Sequence, residues 1–267
     1  IVGEGERFAL LLKAIERQKD PSRIPGIMTL PQEKAIPDPF DSSFILNYVP
    51  DISRKEYYLK KGGMLNLQTK RGCTYRCIYC TYPRIEGGRL RLIPPEDVAN
   101  NALRLQDSGA KYFFITDSVF NSDYSHSIEV ARAFKKAGIS IPWGAFFAPT
   151  KPPEGYYRIM ADAGLSHVEF GTESLSAKML KTYKKPFDIK HIFNAHKAAV
   201  EAGLFAAHYF LLGGPGEDED SLNETLSNIA MLNKSVLFFF ALCEFIRILH
   251  SMTLQWRRVR YQGLRAY

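Results

Sequence analysis

From residue 64 onward the apolar positions of the chain switch between two periods. Short runs rich in Phe, Val, Ile and Leu read as strands at 64–69, 112–116, 141–147, 167–171, 205–212 and 236–241. Between them, apolar residues recur at helical spacing over 95–108, 125–137, 153–163, 176–182, 189–202 and 219–233. Pro94-Pro95 followed by Glu96 and Asp97 makes a good helix start, because a first turn leaves amides unpaired and proline has none. Gly109, Gly138, Gly164 and Gly203 each stand where a helix should stop. Six strand–helix units in regular order predict an α/β fold built on a parallel sheet. In parallel α/β folds, chemistry collects at the carboxyl ends of the strands.

The chain before residue 64 is patterned differently. Residues 1–6 read as a strand end running into a turn, and Phe8, Leu11, Leu12 and Ile15 then fall at helical spacing. That unit has nothing to pack against. Six prolines between residues 21 and 55, with little periodicity, read as linker.

Composition narrows the class without naming a function. A hydrophobic content of 46% with 13% aromatics supports a sizeable core and excludes global disorder. The longest apolar run is the eight residues 236–243, too short to cross a bilayer, and no signal peptide is visible. The net charge is +7, but residues 243–267 alone carry five arginines against one glutamate, leaving +3 for the other 242 residues. An ordinary surface of that kind does not predict nucleic-acid binding.

Candidate chemistry concentrates at one place. Cys73, Cys77 and Cys80 put three of the four cysteines within eight residues, spaced C-x3-C-x2-C. Three thiolates this close can hold one metal centre from a single loop. Iron–sulfur clusters take cysteine thiolates, usually four. With three, one iron keeps an open position where a reaction can occur. A zinc site lacking its fourth ligand, or three unrelated buried thiols, are the other readings; zinc motifs favour C-x2-C pairs, and no second pair follows. Reduced thiols grouped this way suit a reducing, cytoplasmic setting.

With Tyr79 just before the third cysteine, the motif resembles that of the radical S-adenosylmethionine (radical SAM) superfamily. The segments RGCTYRCIYCTYP, FFITDSVFN, VEFGTES and HYFLLGGPGE follow the order used by its cobalamin-binding branch, over about residues 62–241. The resemblance implies a partial (β/α)6 TIM-like barrel at 61–241 and a linker at 21–60. It also implies that residues 1–20 are the end of a Rossmann-like cobalamin-binding domain, so the chain is a fragment. The implied cofactors are a 4Fe-4S cluster on Cys73, Cys77 and Cys80 and S-adenosyl-L-methionine chelated to its open iron, with cobalamin in the full-length parent only. One-electron reduction would give a 5′-deoxyadenosyl radical, with a flavodoxin- or ferredoxin-type donor and a small-molecule substrate as partners. The parent would methylate an unactivated carbon, or cyclise or rearrange its substrate. A radical methylthiotransferase shares the cysteine motif but usually has three upstream cysteines, and none precedes Cys73 here. A non-enzymatic electron carrier would need a fourth cysteine, and Cys243 is the only one left.

Further site residues follow from the same resemblance. Tyr79 would lie against the adenine, or simply pack. Asp117, with Ser118 beside it, ends the second strand where the superfamily often carries Gly-Gly-Glu, and would accept the methionine amino group; an ordinary strand-end cap is the alternative. Glu169, Gly171 and Glu173 share one face if their strand alternates. Glu173, with Ser174 beside it, would meet the ribose hydroxyls, or pair with a nearby lysine. Gly213 and Gly214 would flank the adenine, or form a plain turn. His208 could touch substrate or be a hydrogen-bonded interior residue, while His191 and His196 read as surface or core.

The resemblance ends after Phe240, where the family pattern continues in the style of FFCGxRIYPxTPLY. A permitted back-translation of residues 242–263, read from the third base of its first codon, gives VRIYPHTPLYDIAVAEGQISR. That is the expected continuation. Phe238, Phe239 and Phe240 imply a T-rich run where the base count slips easily. Residues 242–267 are therefore expected to be translated out of frame; the other reading is a basic amphipathic helix carrying Phe245, Leu249, Met252, Trp256 and Val259 on one face. The gene sequence decides: codons unable to yield that peptide in the shifted frame would sink the idea.

Overall fold

The structure, a computed structural model, describes residues 7–27, 52–62 and 64–241. The strand read at 1–6, most of the linker and the tail from 242 lie outside them. Helix α1 spans Arg7–Glu16 and α2 spans Ile52–Lys61, the latter inside the stretch read as linker. The sheet-forming part begins with β1 (Met64–Leu67), a small hairpin of β2 (Lys70–Arg71) and β3 (Arg91–Leu92) around α3 (Tyr82–Ile85), then α4 (Pro95–Asp107). Next come β4 (Tyr112–Ile115), α5 (Tyr124–Lys136), β5 (Trp143–Phe147), α6 (Tyr156–Asp162) and β6 (Leu165–Glu173). The last elements are α7 (Ala177–Thr182), α8 (Ile189–Glu201), β7 (Phe205–Leu212), α9 (Glu219–Ile229) and β8 (Ser235–Ala241).

Six strands form one sheet in the order β1-β4-β5-β6-β7-β8, every neighbouring pair parallel. β1 and β8 each have a single neighbour, so the sheet is an open partial barrel. Helix ends are set as the sequence implies. Asp123 caps α5 by accepting from the His126 amide at 2.9 Å, and Asp188 and Asp218 each complete a capping box. All four glycines expected to stop helices take positive φ just past them.

Strand alternation gives the sheet two different faces. On β6, Val168 and Phe170 are fully buried in a core with Ala195 and Ala199 of α8. That core centres on Trp143, stacked on Phe113 at 6.3 Å and edge-on to Phe120 and Phe134 at 5.5 Å each. Its indole donates to the Ala163 carbonyl at 2.9 Å, so the ring is buried without an orphaned donor. His208 belongs to this helix-side layer. It is 0% exposed, its Nδ1 lies 2.7 Å from Thr172 Oγ1, and its Nε2 lies 3.0 Å from His196 Nδ1. Burial, reinforced by His196, holds its imidazole down to about 3, so it is a neutral interior residue and not a substrate contact. The opposite, concave face carries Glu169, Gly171, Tyr209 and Leu211, and there the site is built.

Candidate active site

The cysteine loop is extended and two-faced. Cys73, Tyr75, Cys77 and Tyr79 line a cavity of about 400 Å³ together with Cys80, while Thr74, Arg76 and Ile78 between them are exposed. Gly72 makes the turn into the loop possible: its φ is +86°, and a Cβ there would sit 2.0 Å from the Arg89 carbonyl oxygen. The loop is tied down at several points. The Gly72 amide donates to Glu86 Oε2 at 3.0 Å, the Cys73 amide to the Gly87 carbonyl at 3.1 Å and the Ile78 amide to the Tyr183 carbonyl at 3.3 Å. Ser118 Oγ, on the cavity wall, donates to the Gly72 carbonyl at 3.2 Å.

Across from the cysteines stands an ion pair. Lys185 Nζ lies 3.2 Å from Glu173 Oε1, with the two side chains 7% and 11% exposed, and it donates to the Tyr79 hydroxyl at 2.8 Å. Glu173 reaches this position because β6 shifts register against β7 between Phe170 and Glu173, and because Glu173 itself takes φ +64°. A non-glycine residue held in the left-handed region costs on the order of 1–3 kcal/mol and persists where the surroundings over-determine it. Bulges next to active sites re-aim side chains in this way. Phe146, Phe147 and Leu211 supply the apolar part of the wall.

The expected site residues divide into two groups. Cys73, Cys77, Cys80, Tyr79, Ser118 and Glu173 line the one cavity. The rest do not line it. Asp117 is 1% exposed and wholly engaged: Oδ2 accepts from Lys70 Nζ at 2.9 Å and Thr69 Oγ1 at 2.5 Å, and Oδ1 accepts from the Thr69 amide at 2.8 Å. A carboxylate so committed has no lone pair directed at a ligand's ammonium. Glu169 is not part of the cavity lining; it accepts from Tyr209 at 2.8 Å and lies within 3.2 Å of His167 Nε2. Ser174 turns to Thr225 Oγ1 at 3.0 Å. Gly213 donates its amide to Glu217. Gly214 makes room for Tyr183, since a Cβ there would meet the Tyr183 hydroxyl oxygen at 2.0 Å. Tyr183 in turn stands edge-on to Tyr79 at 5.7 Å and donates to the Leu211 carbonyl at 3.1 Å. Gly214 thus supports the cavity at one remove.

Burial disfavours free thiolates at Cys77 and Cys80. Burial pushes the Cys77 thiol up, opposed by Lys185 and reinforced by Cys80 and Cys73. Burial likewise raises Cys80, and it raises Tyr79, with Glu173 adding to the effect. Three thiolates in one partly dry cavity repel one another unless positive metal charge offsets them. Among the described residues, no set of three His, Cys, Asp or Glu side chains is gathered around a point suited to a single ion. Cys73, Cys77 and Cys80 do line one cavity, and thiolates of this kind ligate separate irons of a polynuclear iron–sulfur core.

This combination of an open parallel α/β barrel with a three-cysteine loop at a strand's carboxyl end defines a class of cluster-dependent enzymes. The family model of the radical SAM superfamily matches residues 67–229, and the chain belongs to that superfamily. It is 33% identical over 165 residues to the cytidylyl-2-hydroxyethylphosphonate methyltransferase of Streptomyces wedmorensis, covering 59% of this chain and 30% of that protein. The radical S-adenosylmethionine methyltransferase TsrM of Kitasatospora setae, solved with tryptophan substrate and an S-adenosylmethionine analogue, matches with a TM-score of 0.74 at 22% identity. That match covers 90% of this chain and 50% of TsrM. The cobalamin-dependent S-adenosylmethionine radical enzyme OxsB, solved with aqua-cobalamin and S-adenosylmethionine, matches at 0.72 with 18% identity, covering 96% of this chain and 39% of OxsB. At these identities the two structures establish the fold. The chain spans half or less of each of these proteins. Among the described residues, no helix is long and apolar enough to cross a membrane.

Sequence reasoning did not single out Lys185, Tyr183 or the aromatic wall of Phe146 and Phe147. It did allow a lysine partner for Glu173, and Lys185 is that partner. The one signal available was a lysine pair, Lys184-Lys185, ahead of a proline, which by itself reads as surface.

Proposed function

We propose that this chain is the catalytic core of a cobalamin-dependent radical SAM enzyme whose whole protein transfers a methyl group to carbon in a small-molecule substrate. The observation that carries the reading is the convergence of Cys73, Cys77 and Cys80 on a cavity whose facing wall holds the Lys185–Glu173 pair. A 4Fe-4S cluster with S-adenosylmethionine bound would supply the one electron that cleaves the sulfonium into methionine and a 5′-deoxyadenosyl radical. The three cysteines would hold three of the irons. Lys185 offers its ammonium to the carboxylate of the methionine moiety, and Glu173 accepts from the ribose hydroxyls. The two then exchange mutual pairing for pairing with the ligand. Tyr79, held by Lys185, gives the adenine a face to lie on. Phe146, Phe147 and Leu211 keep water from the reacting end. Methyl transfer is preferred to ring closure because the relative matched at 33% identity is named a methyltransferase. Cobalamin would be bound by parts of the whole protein outside the described residues.

The test is spectroscopic. In protein reconstituted with iron and sulfide and then reduced, added S-adenosylmethionine shifts the electron paramagnetic resonance signal of the cluster. Lys185→Met weakens that response about 10–100-fold in affinity, the worth of a hydrogen bond to a charged group. An unmoved signal in the wild type would overturn the S-adenosylmethionine reading, and unchanged affinity in the variant would overturn the role of Lys185.

A further inference from the structure

The helix-side residues Val168 and Phe170 of β6 are followed by Thr172 and, just past the strand's end, Ser174. The change from apolar to hydroxyl side chains falls where the strand slips. Phe170 pairs with His208 and Glu173 with Phe210, so Gly171 and Thr172 of β6 together stand against Tyr209 of β7. One extra residue on one strand is a bulge, and it leaves the ladder locally without its regular bonds. Glu173 follows at once. Of the four described non-glycine residues with positive φ it alone belongs to a strand; Gln18, Lys184 and Lys234 stand in turns.

The hydroxyl residues on either side of Glu173 are buried, and neither lines the cavity. Thr172 Oγ1 lies 2.7 Å from His208 Nδ1, and His208 Nε2 lies 3.0 Å from Nδ1 of His196 on α8. Ser174 Oγ lies 3.0 Å from Thr225 Oγ1 on α9 and accepts from the Ser176 amide at 3.1 Å. Thr225 Oγ1 also accepts from the Leu175 amide at 3.3 Å. The Ser174 amide donates to the Thr172 carbonyl at 2.8 Å, which closes a tight turn around Glu173. Gly171 leaves room for the carboxylate: a Cβ there would lie 3.1 Å from Glu173 Oε1 and 4.0 Å from Lys185 Nζ. Apolar packing has no direction, whereas a hydrogen bond fixes distance and angle, and a buried hydroxyl without a partner is costly. Two directional anchors, one on each side, therefore hold the backbone of a residue whose own conformation is unfavourable.

We propose that Thr172 and Ser174, backed by His208 and Thr225, are positioning residues that clamp the β6 bulge and so aim Glu173 at the cavity before any ligand enters. The inference rests on the function proposed above in taking Glu173 as a contact of S-adenosylmethionine; the clamp itself is a property of the protein alone. Its consequence is pre-organisation. A carboxylate already set in place needs less ordering when a ligand binds, so loosening the clamp lowers affinity without removing a single ligand contact. Helices α8 and α9 give no side chain to the cavity, yet they bear on it through His196 and Thr225.

The test compares wild type, Thr172→Val, Thr172→Ser and Ser174→Ala. Ser127→Ala is the control, because Ser127 makes a buried hydroxyl contact of the same kind, 2.9 Å from the Tyr156 hydroxyl, and neither residue lines the cavity. Amide exchange of the segment 171–176 is followed by mass spectrometry in the whole chain before reconstitution. Affinity for S-adenosylmethionine is then read from the shift of the reduced cluster's paramagnetic signal. Thr172→Val should speed exchange in that segment and weaken affinity about 10-fold, the equivalent of one hydrogen bond. Ser174→Ala should do the same from the other side, which keeps the test decisive if Thr172→Val does not fold. Thr172→Ser should stay close to wild type, and Ser127→Ala should leave both readouts unchanged. In a Glu173→Ala background, Thr172→Val should cost no further affinity. Unchanged exchange in Thr172→Val and Ser174→Ala would overturn the proposal, and so would faster exchange with affinity intact. An equal loss in Ser127→Ala, or a Thr172→Val loss that persists without Glu173, would overturn it as well. Faster exchange in the variants, with no response to S-adenosylmethionine even in the wild type, would uphold the clamp and overturn the function proposed above.

Discussion

Cys77→Ala protein should fold like the wild type but, after anaerobic reconstitution with iron and sulfide, should retain only background iron and show no cluster absorption. In the proposed site Cys77 is the middle of three ligands on one loop, and a cubane held by three thiolates would have none to spare. The remaining pair, Cys73 and Cys80, is seven residues apart and leaves half of the core without protein ligands. The fold should be indifferent. Cys77 is only half-buried, its thiol makes no contact that the core needs, and the loop is fixed by backbone bonds from Gly72, Cys73 and Ile78. Removing one thiol also lessens the repulsion that burial imposes on its neighbours. Iron content, visible absorption and the thermal unfolding midpoint check this together. Wild-type iron in the variant would show that the three cysteines do not act as one ligand set.

The second large effect concerns stability. Lys70→Met should cost about 3–5 kcal/mol, because it leaves the buried Asp117 carboxylate without its cation. Both side chains are 1% exposed, so water cannot replace the partner. Lys70 Nζ also donates to the Phe120 carbonyl at 2.6 Å, and that acceptor is orphaned too. The double variant Lys70→Met/Asp117→Leu should recover part of the loss by removing the uncompensated charge, although the Thr69 amide and hydroxyl then lose their acceptor. Denaturant unfolding midpoints of the three proteins measure the coupling. A near-neutral Lys70→Met would mean that the pair is not buried as described. The pair also matters for the site, because it joins the start of the cysteine loop to the carboxyl end of β4.

Much of this architecture is legible in the sequence because local rules agree with the global fold. The strand read at 205–212 coincides with β7, and the starts read at 64, 112, 95, 189 and 219 coincide with β1, β4, α4, α8 and α9. The cysteine loop is visible for the same reason: its three thiols are neighbours in the chain. What was hidden depends on partners far apart. Asp117 has a carboxylate's chemistry and a strand-end position, yet Lys70, 47 residues earlier, claims it. Lys185 meets Tyr79 across 106 residues. Glu173 and Glu169 look equivalent by alternation, but a register shift and a left-handed backbone send the first to the cavity, while Tyr209 and His167 engage the second. Periodicity carries no information about such pairings. The helix at Ile52–Lys61 was missed because only Ile52 and Leu59 in it are aliphatic, which gives no 3.6-residue stripe to read.

The most direct measurement is of 5′-deoxyadenosine itself, in anaerobically reconstituted protein of parental length given dithionite and S-adenosylmethionine, with Cys77→Ala alongside. Product in the wild type and none in the variant is the predicted result, and it would leave the substrate as the next question. A wild type that carries its cluster yet forms no 5′-deoxyadenosine would contradict the assignment of this cavity to radical chemistry.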